Sequence, residues 1–301
     1  MNGLVLKHTG KHYEVLASDK VYGCTLKGNF RTKDINTTNP IAVGDWVEIV
    51  IENDQQAVIT KLHERKNHII RKATKLSKPS QIIAANIDCA YLVVTRVVPE
   101  TSTGFIDRFL ATCEAYTIDA ALIINKMDLY DDEEEKEIEH IYSNIGYPVY
   151  KTSVVSGLGM EELKKSLQGK INLFSGHSGV GKSTLLNKLI PGLKLKTGEI
   201  SLTHFKGMHT TSFSEMHRMN ENTFIIDTPG IREFGTFEFD PQFVAHYFKE
   251  MLPYIEQCRY NNCIHVHEKD CAVIQAVESG AIHPERYYNY ISILKNEDIF
   301  N

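Results

Sequence analysis

No run in this 301-residue chain is apolar for long enough to span a bilayer; the best, Ile118 to Ile124, stops at the polar Asn125. The N-terminus carries only a short apolar piece with no cleavage-site pattern, which argues against a secretory signal and for a cytoplasmic location. Cysteine is scarce at six residues, and in a reducing compartment these are expected to be free or metal-bound rather than disulfide-linked. Positive charge is also in deficit. Thirty-three Lys and Arg against 38 Asp and Glu leave a net −5, which argues against indiscriminate binding to DNA and leaves room for a local basic patch. No heptad run calls for a partner copy, so a monomer is expected. The length exceeds what one hydrophobic core usually serves, so two or three compact units are expected.

What is present is concentrated in a few motifs. Gly176-His177-Ser178-Gly179-Val180-Gly181-Lys182-Ser183 matches the phosphate-binding pattern Gly-x-x-x-x-Gly-Lys-Ser/Thr. Lys170 to Ser175 reads as the buried strand leading in and Thr184 to Ile190 as the helix leading out. Glycines there let backbone N–H groups wrap a β-phosphate, and the helix N-terminus adds a favourable field. Lys182 suits the β- and γ-phosphates, the Ser183 hydroxyl suits Mg²⁺, and the Thr184 N–H lies toward an α-phosphate.

Upstream, the apolar strand Asp119 to Ile124 runs into Asn125-Lys126-Met127-Asp128. The Asp128 carboxylate can accept the two N–H groups on the edge of guanine that adenine lacks. Asn125 can bond the base and brace the phosphate loop, and the Lys126 stem can cover a base face. After the strand Pro148 to Tyr150, a backbone N–H at or just after Ser153 is placed to reach the guanine O6. Downstream, Gly207 to Ser212 reads as a switch loop in which Thr210 or, preferably, Thr211 closes on Mg²⁺ and the γ-phosphate. Asp227-Thr228-Pro229-Gly230 ends the strand Thr223 to Asp227; Asp227 would hold a Mg²⁺ water and the Gly230 N–H would sense the γ-phosphate. The order is unusual. Base recognition precedes the phosphate loop, and one site results only if the GTPase domain is circularly permuted.

Around this centre, residues 1 to 70 read as a β-barrel. His12 to Leu16, Val21 to Leu26, Trp46 to Ile51 and Gln56 to Lys61 are β-rich segments separated by turn residues. Five short strands and no convincing helix suggest an oligonucleotide/oligosaccharide-binding (OB) fold, which serves some proteins as an RNA-binding module and others as a spacer. A basic tract follows: Lys61, Arg65, Lys66, Arg71, Lys72, Lys75 and Lys78 against a single Glu64. Alternating strands and helices then predict an α/β domain over 71–236 with a parallel sheet, including a helix over Ile106 to Ala115 and another opened by the acidic run Asp131 to Glu135. In the third unit, 237–301, Cys258, Cys263, His265 and Cys271 form a Cys3His set suited to closed, structural zinc, with His267 as a competing fourth ligand. The helix Pro284 to Leu294 is expected to pack Tyr287, Tyr288, Ile291 and Leu294 on one face.

This combination resembles the bacterial ribosome small-subunit-dependent GTPase A family (RsgA, also called YjeQ or YloQ). The resemblance rests on the barrel, on Asn125 to Asp128 ahead of Gly176 to Ser183, on Asp227 to Phe234, and on the cysteine–histidine spacing. It implies GTP hydrolysis to GDP with Mg²⁺, one structural zinc, binding to the 30S subunit and 16S rRNA, stimulation by the subunit, and a role late in its maturation. Ile231 stands where many GTPases carry a water-orienting glutamine. The resemblance implies a switch-loop histidine as the candidate substitute, matched here by His209 beside Met208, where the family commonly has arginine; the alternative is a solvent-facing loop histidine. Rival readings are an RNA-binding scaffold with an idle pocket, disfavoured by the intact Lys182, Ser183 and Asp227, and an ATPase or small-molecule kinase, disfavoured by Asp128.

Overall fold

The computed structural model describes residues 1–27, 39–71, 81–129, 134–197, 214–228 and 239–296. Five strands open the chain: β1 (Asn2–Thr9), β2 (His12–Ala17), β3 (Lys20–Leu26), β4 (Trp46–Ile51) and β5 (Gln56–Leu62). They run in the order β1-β2-β3-β5-β4 and close by pairing β4 with β1, with only β3–β5 parallel. This closed barrel fulfils the OB expectation and leaves no free edge. Alternate residues point inward, so Val5, Tyr13, Val15, Cys24, Val47, Ile49 and Ile59 make its core. No segment read from the sequence corresponds to β1, whose register shift between Val5 and Lys7 breaks the alternation that marks a strand.

A two-stranded hairpin, β6 (His68–Arg71) and β7 (Gln81–Ala85), carries the chain out of the barrel. The α/β unit follows in the order β8 (Cys89–Val94), α1 (Thr103–Ala115), β9 (Asp119–Asn125), α2 (Glu134–Ile145), β10 (Val149–Thr152), α3 (Met160–Ser166), β11 (Ile171–Gly176), α4 (Lys182–Leu189), β12 (Glu215–Asn220) and β13 (Thr223–Asp227). The sheet order is β10-β9-β8-β11-β13-β12, parallel except for β12. Its central strands are apolar throughout because helices cover both faces. Phe105, Phe109 and Leu110 of α1 join Tyr142 of α2 on one side; Leu163 of α3 and Leu185, Leu186 and Leu189 of α4 pack on the other. Lys7 of β1 pairs with Glu215 of β12, so barrel and α/β sheet are continuous.

The last unit holds the short helices α5 (Leu252–Ile255) and α6 (Ala272–Glu278) and the longer α7 (Pro284–Leu294). Val244, Phe248, Met251, Val273, Tyr290 and Ile293 form its core, and Ala111 of α1 enters it. The expected face of α7 is wrong in part. Tyr288 is 67% exposed, whereas Arg286, Asn289, Tyr290 and Ile293 are buried. The helix lies between its own unit and α1, so a polar edge is buried along with the apolar one: Arg286 bonds Asp107 and Glu250, and Asn289 bonds Asp107. Among the described residues no helix is long and apolar enough to cross a membrane.

Candidate nucleotide and metal sites

The phosphate loop sits where β11 hands over to α4. Gly179 and Gly181 both have φ of +89°, a conformation costly for residues with a side chain. A Cβ on Gly181 would lie 2.6 Å from Asn125 Nδ2, so glycine also makes room for the base-recognition motif. Gly181 is the N-cap of α4 and no side chain caps the helix, so its N-terminal field is left for an anion. Val180 is buried, whereas Ser178 and Thr184 are exposed and Ser183 is partly so. The His177 ring lies 4.5 Å from that of Phe105 in α1, and burial lowers the pKa of its imidazole.

The two halves of the site meet despite their separation along the chain. Asn125 Nδ2 donates to the Val180 carbonyl at 2.9 Å, and its Oδ1 accepts from the Thr152 hydroxyl at 3.1 Å. Ser153 Oγ donates to Asp128 Oδ1 at 2.5 Å and accepts from the Ser156 N–H. This fixes the carboxylate that would read guanine. The Ser153 N–H itself donates to Leu158 O, so the following amide, Val154, is the better candidate for the base carbonyl. Lys126, at φ +64°, donates to Val98 O at 2.7 Å. On the phosphate side, Lys182 Nζ pairs with Asp227 and donates to Thr228 O. Thr152 and Val98 escaped the sequence reading. Thr152 acts through its parallel pairing with Asn125, which no spacing along the chain announces. Gly230, Thr210, Thr211, His209 and Ile231 lie outside the described residues.

The Cys258, Cys263, His265 and Cys271 ligand atoms all lie within 4.8 Å of one another. Cys258 Sγ is 3.8 Å from Cys271 Sγ, and His265 Nδ1 is 3.5 and 3.4 Å from those two sulfurs. A tetrahedron built on ordinary zinc bond lengths has S–S edges of about 3.8 Å and S–N edges of about 3.6 Å. The donor set therefore fits a closed metal site. His267 is exposed and outside it. The loop is held by Tyr287 and Tyr290, which donate to the His265 and Ile264 carbonyls, and by Glu268, which accepts the N–H groups of Ile264, Val266 and His267. Burial opposes ionisation of Glu268, but those N–H groups outweigh it and bring its carboxyl to about 2.

The basic tract reads differently in three dimensions. Arg65 is buried and forms two bonds to Asp45, Lys61 pairs with Glu48, and Lys66 pairs with Asp88. Arg65 thus clamps the barrel. Lys72, Lys75 and Lys78 lie outside the described residues.

A parallel sheet whose base-recognition strand precedes its phosphate-loop strand defines a circularly permuted GTPase. Comparison with known proteins gives the family. The RsgA GTPase family model matches residues 62–237 and the RsgA N-terminal domain model residues 2–59. The small ribosomal subunit biogenesis GTPases RsgA 2 of Bacteroides thetaiotaomicron and RsgA of Phocaeicola vulgatus are 50% and 51% identical to the chain, each alignment covering 99% of it and 97% of the relative. The crystal structure of YjeQ from Thermotoga maritima superposes with a TM-score of 0.80 at 37% identity, covering 98% of this chain and 97% of that one. YloQ, described as a circularly permuted GTPase, gives 0.74 at 30% identity over 98% and 94%. The chain belongs to the RsgA GTPase family and is a GTPase.

Proposed function

We propose that this GTPase is a nucleotide-dependent switch in late maturation of the 30S ribosomal subunit, binding 16S rRNA and hydrolysing GTP faster on the subunit. The observation that carries the reading is the Asn125–Val180 bond, which ties guanine recognition to the phosphate loop, with Asp128 already oriented by Ser153. The names of its relatives supply the setting, small-subunit biogenesis.

In this reading Asn125, Lys126, Asp128 and the amide after Ser153 hold the base. Gly176 to Thr184 hold the phosphates, and Gly230 senses the last of them. Mg²⁺, held by Ser183, Thr211 and a water on Asp227, would supply charge neutralisation at the β- and γ-phosphates. Lys182 releases Asp227 and adds its own charge to the transferring group. His209 orients the attacking water in place of the glutamine that Ile231 replaces. Zinc at Cys258, Cys263, His265 and Cys271 is structural, since four protein ligands leave no open position. The domains are 1–70, 71–236 and 237–301, and the protein works as a cytoplasmic monomer. Loss of the γ-phosphate would pass from Asp227 through residue 234 into the third domain. Multiple-turnover phosphate release with and without 30S subunits tests this. A subunit-dependent rise in turnover is expected; a rate that is the same with and without subunits overturns the switch.

A further inference from the structure

Three of the seven positive charges in the tract after the barrel, on Lys61, Arg65 and Lys66, are engaged in ion pairs, and the described structure carries another concentration of positive charge. On the sheet face covered by α3 and α4, six lysines are exposed: Lys164 and Lys165 in the last turn of α3, Lys170 just before β11, Lys188 in the last turn of α4, and Lys194 and Lys196 beyond it. None of the six forms an ion pair among the described residues, in contrast to Lys61 and Lys66.

Topology gathers them. The chain leaves α3 and enters β11 at the end of the sheet away from the phosphate loop, and α4 runs from that loop back toward the same end. Both helices press their leucines into one core on the same face of the sheet. Asn187 then clasps the segment beyond α4: its Nδ2 donates to Leu195 O at 3.0 Å and its Oδ1 accepts the Leu195 N–H at 2.8 Å. Lys194 and Lys196 are thereby held beside Lys188. Among the nearby acids, Glu161 and Glu162 sit in the first turn of α3, and Lys170 lines a cavity with Glu64, Asp88 and Glu221. Asp88 is paired with Lys66, and Glu215, near the end of α4, is paired with Lys7. Complementing helix dipoles explains Lys164, Lys165 and Lys188. It does not explain Lys170, Lys194 and Lys196, which lie outside helices.

We propose that the α3–α4 face is a docking surface for the phosphate backbone of RNA. This rests on the reading that the chain binds small-subunit RNA, and it adds this face to the contact expected at the basic tract. A protein of net charge −5 that nonetheless keeps five exposed lysines without ion pairs on α3, α4 and the segment after α4, with Lys170 at their edge, has a local field suited to a polyanion. The face also adjoins the switch loop in sequence, since Lys196 lies two residues before the segment that contains His209 and Thr211.

The test uses full-length protein, purified 30S subunits and a short RNA duplex, with binding measured across a salt series. In the variant K188Q/K194Q/K196Q, the slope of log affinity against log salt should fall by about 3, one for each lost phosphate contact. Wild type should then lose about 60-fold more affinity than the variant between about 50 and 200 mM salt. GTP hydrolysis without RNA should be unchanged in the variant, and the control K61Q/K66Q should keep the wild-type slope. Wild type that binds neither 30S nor duplex overturns the underlying RNA reading. Wild type that binds while the triple variant keeps its slope, or a control that loses as much as the variant, overturns this face alone. Polyglutamate competing as well as the duplex at equal charge concentration would also sink RNA as the occupant.

Discussion

Replacing Asp107 with alanine should loosen the C-terminal unit from the GTPase domain without disturbing the barrel. Asp107 is fully buried on α1 and accepts three bonds: from Tyr142 at 2.7 Å, Arg286 at 2.5 Å and Asn289 at 2.7 Å. Its removal leaves a buried guanidinium short of one partner, takes the acceptor from the Tyr142 hydroxyl, and leaves the Asn289 amide with its longer bond to Thr103 at 3.3 Å. Breaking a buried ion pair usually costs about 3–5 kcal/mol. Arg286 keeps two bonds to Glu250, at 2.6 and 2.9 Å, so the lower end applies, about 3 kcal/mol. Where exchange tracks local opening, that corresponds to hydrogen exchange about a hundredfold faster in α7. Mass-spectrometric exchange resolves α7 peptides from barrel peptides, and the barrel serves as the internal reference. Asp107→Asn keeps acceptors for Tyr142 and Arg286 and should show a smaller effect. Unchanged protection of α7 in Asp107→Ala, or equal acceleration in barrel and α7, would refute the assignment of this network as the latch between the two units.

Three further outcomes follow from the sites. Gly181→Ala places a Cβ against Asn125 and strains a φ of +89°, so GTP affinity should fall at least about tenfold in a fluorescent-nucleotide titration; wild-type affinity would contradict the bracing role of Asn125. His209→Ala should lower subunit-stimulated hydrolysis by about a hundredfold while GTP affinity holds, and unchanged turnover would end that role. Cys24, Cys89 and Cys113 are buried in the barrel and GTPase cores, and burial also raises the pKa of each thiol, so these three should react slowly with Ellman's reagent. Metal-loaded protein should therefore show almost no fast thiols, and chelation should release those of Cys258, Cys263 and Cys271; prompt reaction without chelation would contradict a closed metal site there.

Much of this site was legible because its chemistry is written in contiguous residues. Gly176 to Ser183 and Asn125 to Asp128 carry their own strand-and-helix context, and the cysteine spacing announces a cluster. Contacts between distant residues were not legible. Thr152 matters because it lies beside Asn125 in the sheet, and nothing in Lys151-Thr-Ser says so. The partners of three basic-tract residues were hidden for the same reason: Glu48, Asp45 and Asp88, which pair with Lys61, Arg65 and Lys66, lie elsewhere in the chain. Helix α7 was misread because an amphipathic pattern predicts one buried face, and a helix wedged between two units buries polar groups as well.

The most direct test of the central claim is nucleotide selectivity, measured as dissociation constants for GTP, ATP and xanthosine triphosphate with wild type and Asp128→Asn. Wild type should bind GTP far more tightly than ATP, and Asp128→Asn should weaken GTP and favour the xanthosine nucleotide, whose edge offers an acceptor where guanine offers a donor. Equal affinity of the wild type for ATP and GTP would contradict the account.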